Sequence, residues 1–373
     1  MATPTTNQIV RFALSDKGAT AAAGINVTNT EIANKIEVAK FTAADALCLS
    51  VQGITADYSG NVYFSDVVQS AIWKLSEGGE LSLLAGIPGT SGNNTGLQNV
   101  PLLEAKFDTP QGMACDRSGN IYVADAGNNQ IRVINGRGVS VLAGAGDGSA
   151  GHVDAPIGTP FGPLAARFDY PIDVEVDKSG LIYVADRDNN AIRKIDGGKV
   201  LTIAGIAGAG ADLENVLCNG KDKEYFDRPR AVCVDNDGTL IVCDTDNNKI
   251  KKIDKSGWLY LFSGAGGASA KSLGDLAPGS NHLSASIADG GIANPYTCRY
   301  FFPYQSDMDS SGNTFFLDRD SADTGGTGTR LIMLDQTGVP NVVCDFTGST
   351  EGDRSITLTV TPSQKIFVTM YEA

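Results

Sequence analysis

Asp116-Arg-Ser-Gly-Asn-Ile-Tyr-Val-Ala-Asp125 returns as Asp177-Lys-Ser-Gly-Leu-Ile-Tyr-Val-Ala-Asp186, and again as Asp235-Asn-Asp-Gly-Thr-Leu-Ile-Val-Cys-Asp244. More divergent copies are Asp57-Tyr-Ser-Gly-Asn-Val-Tyr-Phe-Ser-Asp66 and Asp309-Ser-Ser-Gly-Asn-Thr-Phe-Phe-Leu-Asp318. Each joins an apolar run, a Ser-Gly or Asp-Gly turn and a second run of β-formers, which spells a hairpin. A second hairpin follows each one. After Asp125 come Asn129-Gln-Ile-Arg-Val-Ile134, a Gly-rich turn and Val139-Ser-Val-Leu-Ala-Gly144. Residues 190–205 and 248–264 repeat that order. One repeat is therefore four short antiparallel strands, a to d.

The aspartates that end strand b are Asp66, Asp125, Asp186, Asp244 and Asp318. An Asp in this place accepts hydrogen bonds from turn backbone, so these are expected to be structural residues of the b–c turn. A sixth repeat is split. Ile356 to Met370 reads as strands a and b, with Met370 where the other copies have Asp. Residues 7–12 and 19–24 read as strands c and d. Six four-stranded units closed by both termini describe an all-β, six-bladed β-propeller, whose closure hides the sheet edges. The expected organisation is one domain, 1–373. Its closure blade comes from 355–373 plus 7–24, and the other blades span about 53–86, 111–144, 172–205, 230–264 and 304–348.

These phrases resemble the NHL repeat family. So do the lead-ins to strand a, Ala105-Lys-Phe-Asp-Thr-Pro110 and Ala166-Arg-Phe-Asp-Tyr-Pro171, and Tyr225-Phe-Asp-Arg-Pro229, which keeps the Phe and Pro. The resemblance implies three uses: protein- or RNA-binding domains, propeller enzymes with a metal in the central channel, such as amidating lyases and gluconolactonase-like hydrolases, and free-standing binding platforms.

Composition narrows these. A net charge of −14 lacks the basic footprint of a nucleic-acid binder and opposes docking on an anionic membrane. No run approaches the ~18 apolar residues of a spanning helix. Met1 to Leu14 has no charged segment leading into an apolar one, so cytoplasmic synthesis without a signal peptide is expected. Seven cysteines at irregular spacing, with no CxxC, read as reduced thiols.

Chemistry-bearing residues are sparse. The two histidines, His152 and His282, lie in inter-blade insertions, so a His-ligated channel metal is not expected. Asp173, Glu175 and Asp307 fall on strand a, in phases shared with Thr55, Ala114, Cys233 and Thr359. They are either polar residues of a wet channel or the carboxylates of a Ca²⁺ site completed by carbonyls and water. The Gly144–Gly151 loop lacks the strand-to-helix setting of a phosphate cradle. No Gly-x-Ser-x-Gly elbow occurs. Trp73, Tyr296 and Tyr300 are candidate platforms for a sugar face.

The d-to-a connections, Ile25–Gln52, Ile87–Thr109, Ala145–Tyr170, Ile206–Arg228 and Ala265–Phe302, are long and gather on one face, where binding loops commonly sit. The long b–c connection Arg319–Arg330 is expected on the opposite face. Taken together, the sequence favours a non-enzymatic interaction or structural protein without a cofactor. It would meet a protein partner through the loop-rich face, or a cell-surface glycan. The Ala/Gly/Thr-rich acidic composition resembles phage structural proteins and suggests a virion component: capsid decoration, tail or host-surface binder. The alternatives are a channel-metal hydrolase or lyase, with Ca²⁺ the candidate ion, and a carbohydrate-binding propeller.

Overall fold

The computed structural model describes residues 10–13, 25–27, 35–42, 50–94, 98–205, 216–217, 226–264, 300, 302–319, 329–346 and 356–372. They form six sheets, each a blade of one six-bladed propeller. Blade 2 shows the pattern: Pro110–Cys115, Ile121–Asp125, Gln130–Asn135 and Gly138–Ala143 pair in order as antiparallel neighbours. Blades 1, 3, 4 and 5 follow it, with strands a at Val51–Ala56, Pro171–Val176, Pro229–Val234 and Pro303–Met308. Every strand a touches those of both neighbouring blades, so the ring is complete and the a strands line its axis.

Blades pack on both faces, so their strands do not alternate apolar with polar. All five residues of Ile182–Asp186 are buried. The apolar core is six seams, one per blade junction. One joins Val174, Ile182 and Val184 of blade 3 to Ala124 and Ile131 of blade 2. Phe367 of blade 6 sits among Val51, Phe64 and Trp73 of blade 1, which seals the ring.

The turn after strand a explains the repeated phrase. Its first aspartate is the turn residue: Asp116 Oδ1 accepts from Ser118 N–H at 2.8 Å and Asn120 N–H at 2.9 Å. Gly119 follows at φ 80°, a left-handed angle that glycine adopts without strain.

The closure blade departs from the expected strand assignment. Beside Ile356–Val360 and Ile366–Glu372, the third strand is Ile36–Thr42, running parallel to Ile366–Glu372. Val10–Ala13 pairs outside it. Of the expected strand c, residues 10–12 fall in this outermost strand, while residues 7–9 and 19–24 lie outside the described set. The reason is directional. Ile36–Thr42 is the last strand before blade 1 and must deliver the chain to the face where strand a begins. It therefore runs as a d strand does but occupies the c place.

The insertions also have a role that their composition does not reveal. Val100, in the connection before blade 2, bridges to Val139 on that blade's outer strand, and Ala155 bridges to Val200 on the outer strand of blade 3. Val216–Leu217 adds to the outer strand of blade 4, and Ile25–Val27 to that of blade 5. Each covers an open edge, the usual liability of a sheet. One topological expectation is corrected. Strand direction alternates within a blade, so b–c and d–a connections emerge on the same face, and the connection after Asp318 shares the loop-rich face.

Candidate functional site

Within strand a, the residues opposite Tyr63, Tyr122, Tyr183, Ile241, Phe315 and Phe367 of strand b are Thr55, Ala114, Glu175, Cys233, Asp307 and Thr359. These occupy the same level of the channel. A cavity of about 210 Å³ is lined by Thr55, Glu175, Asp307 and Thr359, with Tyr58 and Lys178 from the a–b turns. It opens on the hairpin-turn face, away from the long insertions.

Strand a brings all three predicted carboxylates to this cavity, but they are not equivalent. Asp173 Oδ2 accepts from Val232 N–H of blade 4 at 3.0 Å. Asp307 Oδ2 accepts from Val360 N–H at 2.6 Å and Thr359 Oγ1 at 2.9 Å, both in blade 6, and its Oδ1 accepts from Met308 N–H at 2.7 Å. These two carboxylates staple neighbouring blades. Gly112 makes room for the first: a Cβ there would lie 2.1 Å from Asp173 Oδ1. Glu175 has a single protein partner, Val176 N–H at 3.1 Å.

Burial raises all three, because desolvation penalises the charged form. Asp173 is pushed up to about 8 by desolvation, with a further push from the Asp307 charge. Glu175 is driven well above the ordinary glutamate value by desolvation, then by the Asp307 and Asp173 charges. Asp307 is also raised by desolvation, but its two backbone donors and the Thr359 hydroxyl oppose the shift. It therefore ionises before its neighbours. The cavity thus holds two carboxyls of unequal proton affinity, Asp307 the lower and Glu175 the higher.

The expected Ca²⁺ site is not assembled. Among the described residues no three Asp, Glu, His or Cys side chains converge as a metal would need. Two of the three carboxylates spend oxygens on blade junctions, which leaves few free for a hard cation that takes six or more. His152 lies in an insertion, with Nε2 2.9 Å from Thr202 Oγ1, and His282 is outside the described residues.

The strand-b aspartates carry a second, structural centre. In blade 1 the turn expectation holds: Asp66 Oδ1 accepts from Val68 and Gln69 N–H, both at 3.0 Å. In blades 2 to 4 Asp125, Asp186 and Asp244 accept from a b–c turn side chain, Asn128, Asn189 or Asn247, at 2.9 Å each, and also form buried ion pairs with Arg132, Arg193 and Lys251 of strand c, at 3.0, 2.7 and 2.7 Å. Their other oxygens accept from Asp108, Asp169 and Asp227 N–H, each at 2.8 Å. Asp318 accepts similarly from Phe302 N–H at 2.9 Å. Each cation also lies over the lead-in phenylalanine, at 5.5 Å for Phe107, 5.1 Å for Phe168 and 5.6 Å for Phe226. The repeated Phe, Asp and Arg/Lys are one buried unit. The signal lay in the Asn-x-Ile-Arg/Lys spacing, whose cation stands at the same place in three repeats.

The aromatic candidates are corrected too. Trp73 is 3% exposed in the blade 1 seam and offers no face to a sugar. Tyr300 is 4% exposed, edge-on to Phe316 and 2.6 Å from Ser263 Oγ. Tyr296 is outside the described residues. Cys115, Cys233, Cys243 and Cys344 are free thiols, and burial pushes Cys115 up to about 12.

Comparisons with known proteins agree with this ring. The NHL repeat model matches residues 107–134, 168–195 and 226–253, each match opening on the phenylalanine of that buried unit. NHL repeat-containing protein 2 of Gallus gallus is 29% identical over 179 residues, 44% of this chain and 23% of that one. Teneurin-3 of Danio rerio is 28% identical over 307 residues, 74% of this chain and 11% of that one. The chain thus spans less than a quarter of the length of these relatives. Among solved structures, a gluconolactonase from Xanthomonas campestris covers 86% of this chain and 83% of its own at a TM-score of 0.49 and 15% identity. Against the non-enzymatic expectation, the solved propeller named here is an enzyme, but at 15% identity the likeness shows the ring fold alone. These scores concern the shared ring and say nothing of a shared substrate. Neither relative named here is a virion protein, and the phage reading is dropped.

Proposed function

The chain is an NHL-repeat β-propeller, and we propose that it is a hydrolase of small neutral esters, of which sugar lactones are the type, with its chemistry in the turn-face cavity. One observation carries this: Glu175, with one hydrogen-bond donor, and Asp307, with three, face the same cavity, and these environments set their proton affinities apart. Neighbouring carboxylates whose environments separate their proton affinities are the equipment of acid–base catalysis. About 210 Å³ is the share of about seven waters, so the substrate is small. The surrounding carboxylates disfavour an anionic one.

The steps follow from the residues. Asp307 takes a proton from water as the water oxygen bonds to the acyl carbon. Glu175 gives its proton to the ester oxygen as the acyl–oxygen bond breaks. The product is a hydroxy acid; its carboxyl proton passes to Glu175 and the proton on Asp307 passes to solvent, which restores both groups, and the Asp307 charge then repels the product carboxylate.

The test is hydrolysis of a panel of aldonolactones by the wild-type protein and Glu175→Gln in chelator-treated buffer. General acid catalysis contributes about 10²–10⁴-fold, so Glu175→Gln should lose at least ~100-fold in rate with a melting temperature no lower than that of the wild type. Wild-type protein inert on every lactone, or a Glu175→Gln variant at full rate, would contradict the reading.

A further inference from the structure

The opposite face holds a feature that the cavity chemistry does not use. Arg230 is the second residue of strand a in blade 4, where that strand leaves the loop-rich face. It is half-buried, its guanidinium lies 4.7 Å from the centre of the Phe302 ring, and its Nε is buried with no hydrogen-bond partner. In a chain of net charge −14 carboxylates are abundant, yet among the described residues none pairs with this group. The buried cation is instead surrounded partly by its own kind. Burial, then the charge of Arg187 and to a lesser degree that of Arg228, pull Arg230 below its ordinary value, opposed by Asp246 and Tyr170.

The neighbouring acids are largely committed or weakly engaged. Asp188 is held by Arg187 in a two-pronged pair, at 2.8 and 2.9 Å. Asp246 lies 3.7 Å from the exposed Arg228, the kind of surface contact that is worth little. Asp169 and Asp227 are anchored through their N–H groups to Asp186 and Asp244, and the Asp169 carboxyl feels the charges of Asp188 and Arg187.

The cluster is pre-organised. Arg187 stacks 4.1 Å above the Tyr170 ring. Tyr170 and Arg228 stand at φ 50° and 47°, left-handed angles at which bulky residues are strained. Asn129 and Asn190 side chains hold them there by accepting from their N–H groups, each at 2.8 Å. Backbone strain of this kind fixes the direction in which a side chain leaves. Stacking on Phe302 likewise fixes the planar Arg230 guanidinium and leaves its donor edges to a planar or tetrahedral oxyanion.

We propose that Arg230, flanked by Arg187 and Arg228 on the loop-rich face where blades 3, 4 and 5 meet, binds a small oxyanion, a carboxylate or phosphate group. The site is independent of the Glu175 cavity and stands or falls separately from the hydrolase reading.

The experiment is calorimetric titration and thermal melting of the full chain at low ionic strength, with inorganic phosphate and acetate as separate probes. At least one probe should bind saturably and raise the melting temperature, and the stronger of the two identifies the oxyanion class. Arg230→Met should weaken binding at least ~10-fold, the loss of one charge-assisted contact, and should melt higher than wild type without probe, because an unpaired buried cation has been removed. The exposed Arg117, on the opposite face, is the control. Arg117→Met should bind as wild type. Absence of saturable binding, or equal weakening by Arg117→Met, would overturn the proposal. So would an Arg230→Met variant that melts lower than wild type yet keeps its response. If Arg230→Met does not fold, Arg187→Gln decides: weakened binding supports the site, and unchanged binding overturns it.

Discussion

Replacing Arg193 by Met isolates the buried unit on which three blades are built. Its guanidinium donates to Asp186 at 2.7 Å, to the Arg167 carbonyl at 3.0 Å, to the Val153 carbonyl at 2.8 Å and to Asp154 at 3.0 Å. Removing one partner of a buried pair costs about 3–5 kcal/mol, because the other charge stays behind unpaired. Arg132 makes a poorer set. It reaches Asp125 at 3.0 Å and the Lys106 carbonyl at 3.2 Å, while its Nε and second terminal nitrogen have no partner. Arg132→Met should therefore cost less, about 1–3 kcal/mol. The pH dependence carries a sign. Asp186 already stands at about 6, raised by desolvation against the pull of Arg193. Without Arg193 it rises further, so the folded variant holds a proton that the unfolded chain gives up. Stability then falls as pH rises through the folded value. The loss in Arg193→Met should be larger at pH 8 than at pH 5 by about 2–3 kcal/mol, at ~1.4 kcal/mol per pH unit. Urea denaturation followed by the fluorescence of buried Trp73 measures both quantities. A loss equal at both pH values, or no greater than that of Arg132→Met, would refute the ion-pair reading.

The channel carboxylates make a related prediction for the wild type. Their folded values are raised, so the native state binds more protons than the unfolded chain between about pH 4 and pH 8, the value reached by Asp173. Stability should fall by about 1–2 kcal/mol from pH 5.5 to 8.5, the full shift being cut by water in the channel mouth; a rise across that range in denaturation midpoints would contradict it. Gly112→Ala should destabilise by more than ~2 kcal/mol through overpacking against Asp173, and a wild-type melting curve would show the close approach to be unimportant. A chain beginning at residue 35 should stay folded, since Ile36–Thr42 still closes blade 6, whereas one beginning at residue 50 should lose solubility. Soluble, cooperative folding of the shorter chain would contradict the observed closure.

The ring was legible because five copies of one ten-residue phrase spell the same pair of strands and turn. The closure order was not. Ile36–Thr42 carries no turn phrase and no marker aspartate, and its parallel pairing comes from the direction in which the chain must reach blade 1. The edge-covering strands were hidden for another reason: single bridges at Val100 and Ala155 leave no periodicity to read. At the site, strand phase put Asp173, Glu175 and Asp307 in the channel. Only the hydrogen bonds separate Glu175, nearly free, from the two blade staples. Arg132, Arg193 and Lys251 stood in plain repeat, each after an isoleucine, yet a cation in that place reads as solvent-facing until the blade is seen to be buried on both sides. Trp73 erred in the converse way, since an aromatic in that same place packs into the seam.

The protonation of Glu175 is the most direct test of the proposed chemistry. Infrared spectra of the wild-type protein and Glu175→Gln, taken from pH 5 to 9, isolate that one carboxyl in the difference. A protonated carboxyl band present at pH 7 and lost only at higher pH is the expected result. A Glu175 already ionised at pH 6 would leave the cavity without its acid and contradict the assignment.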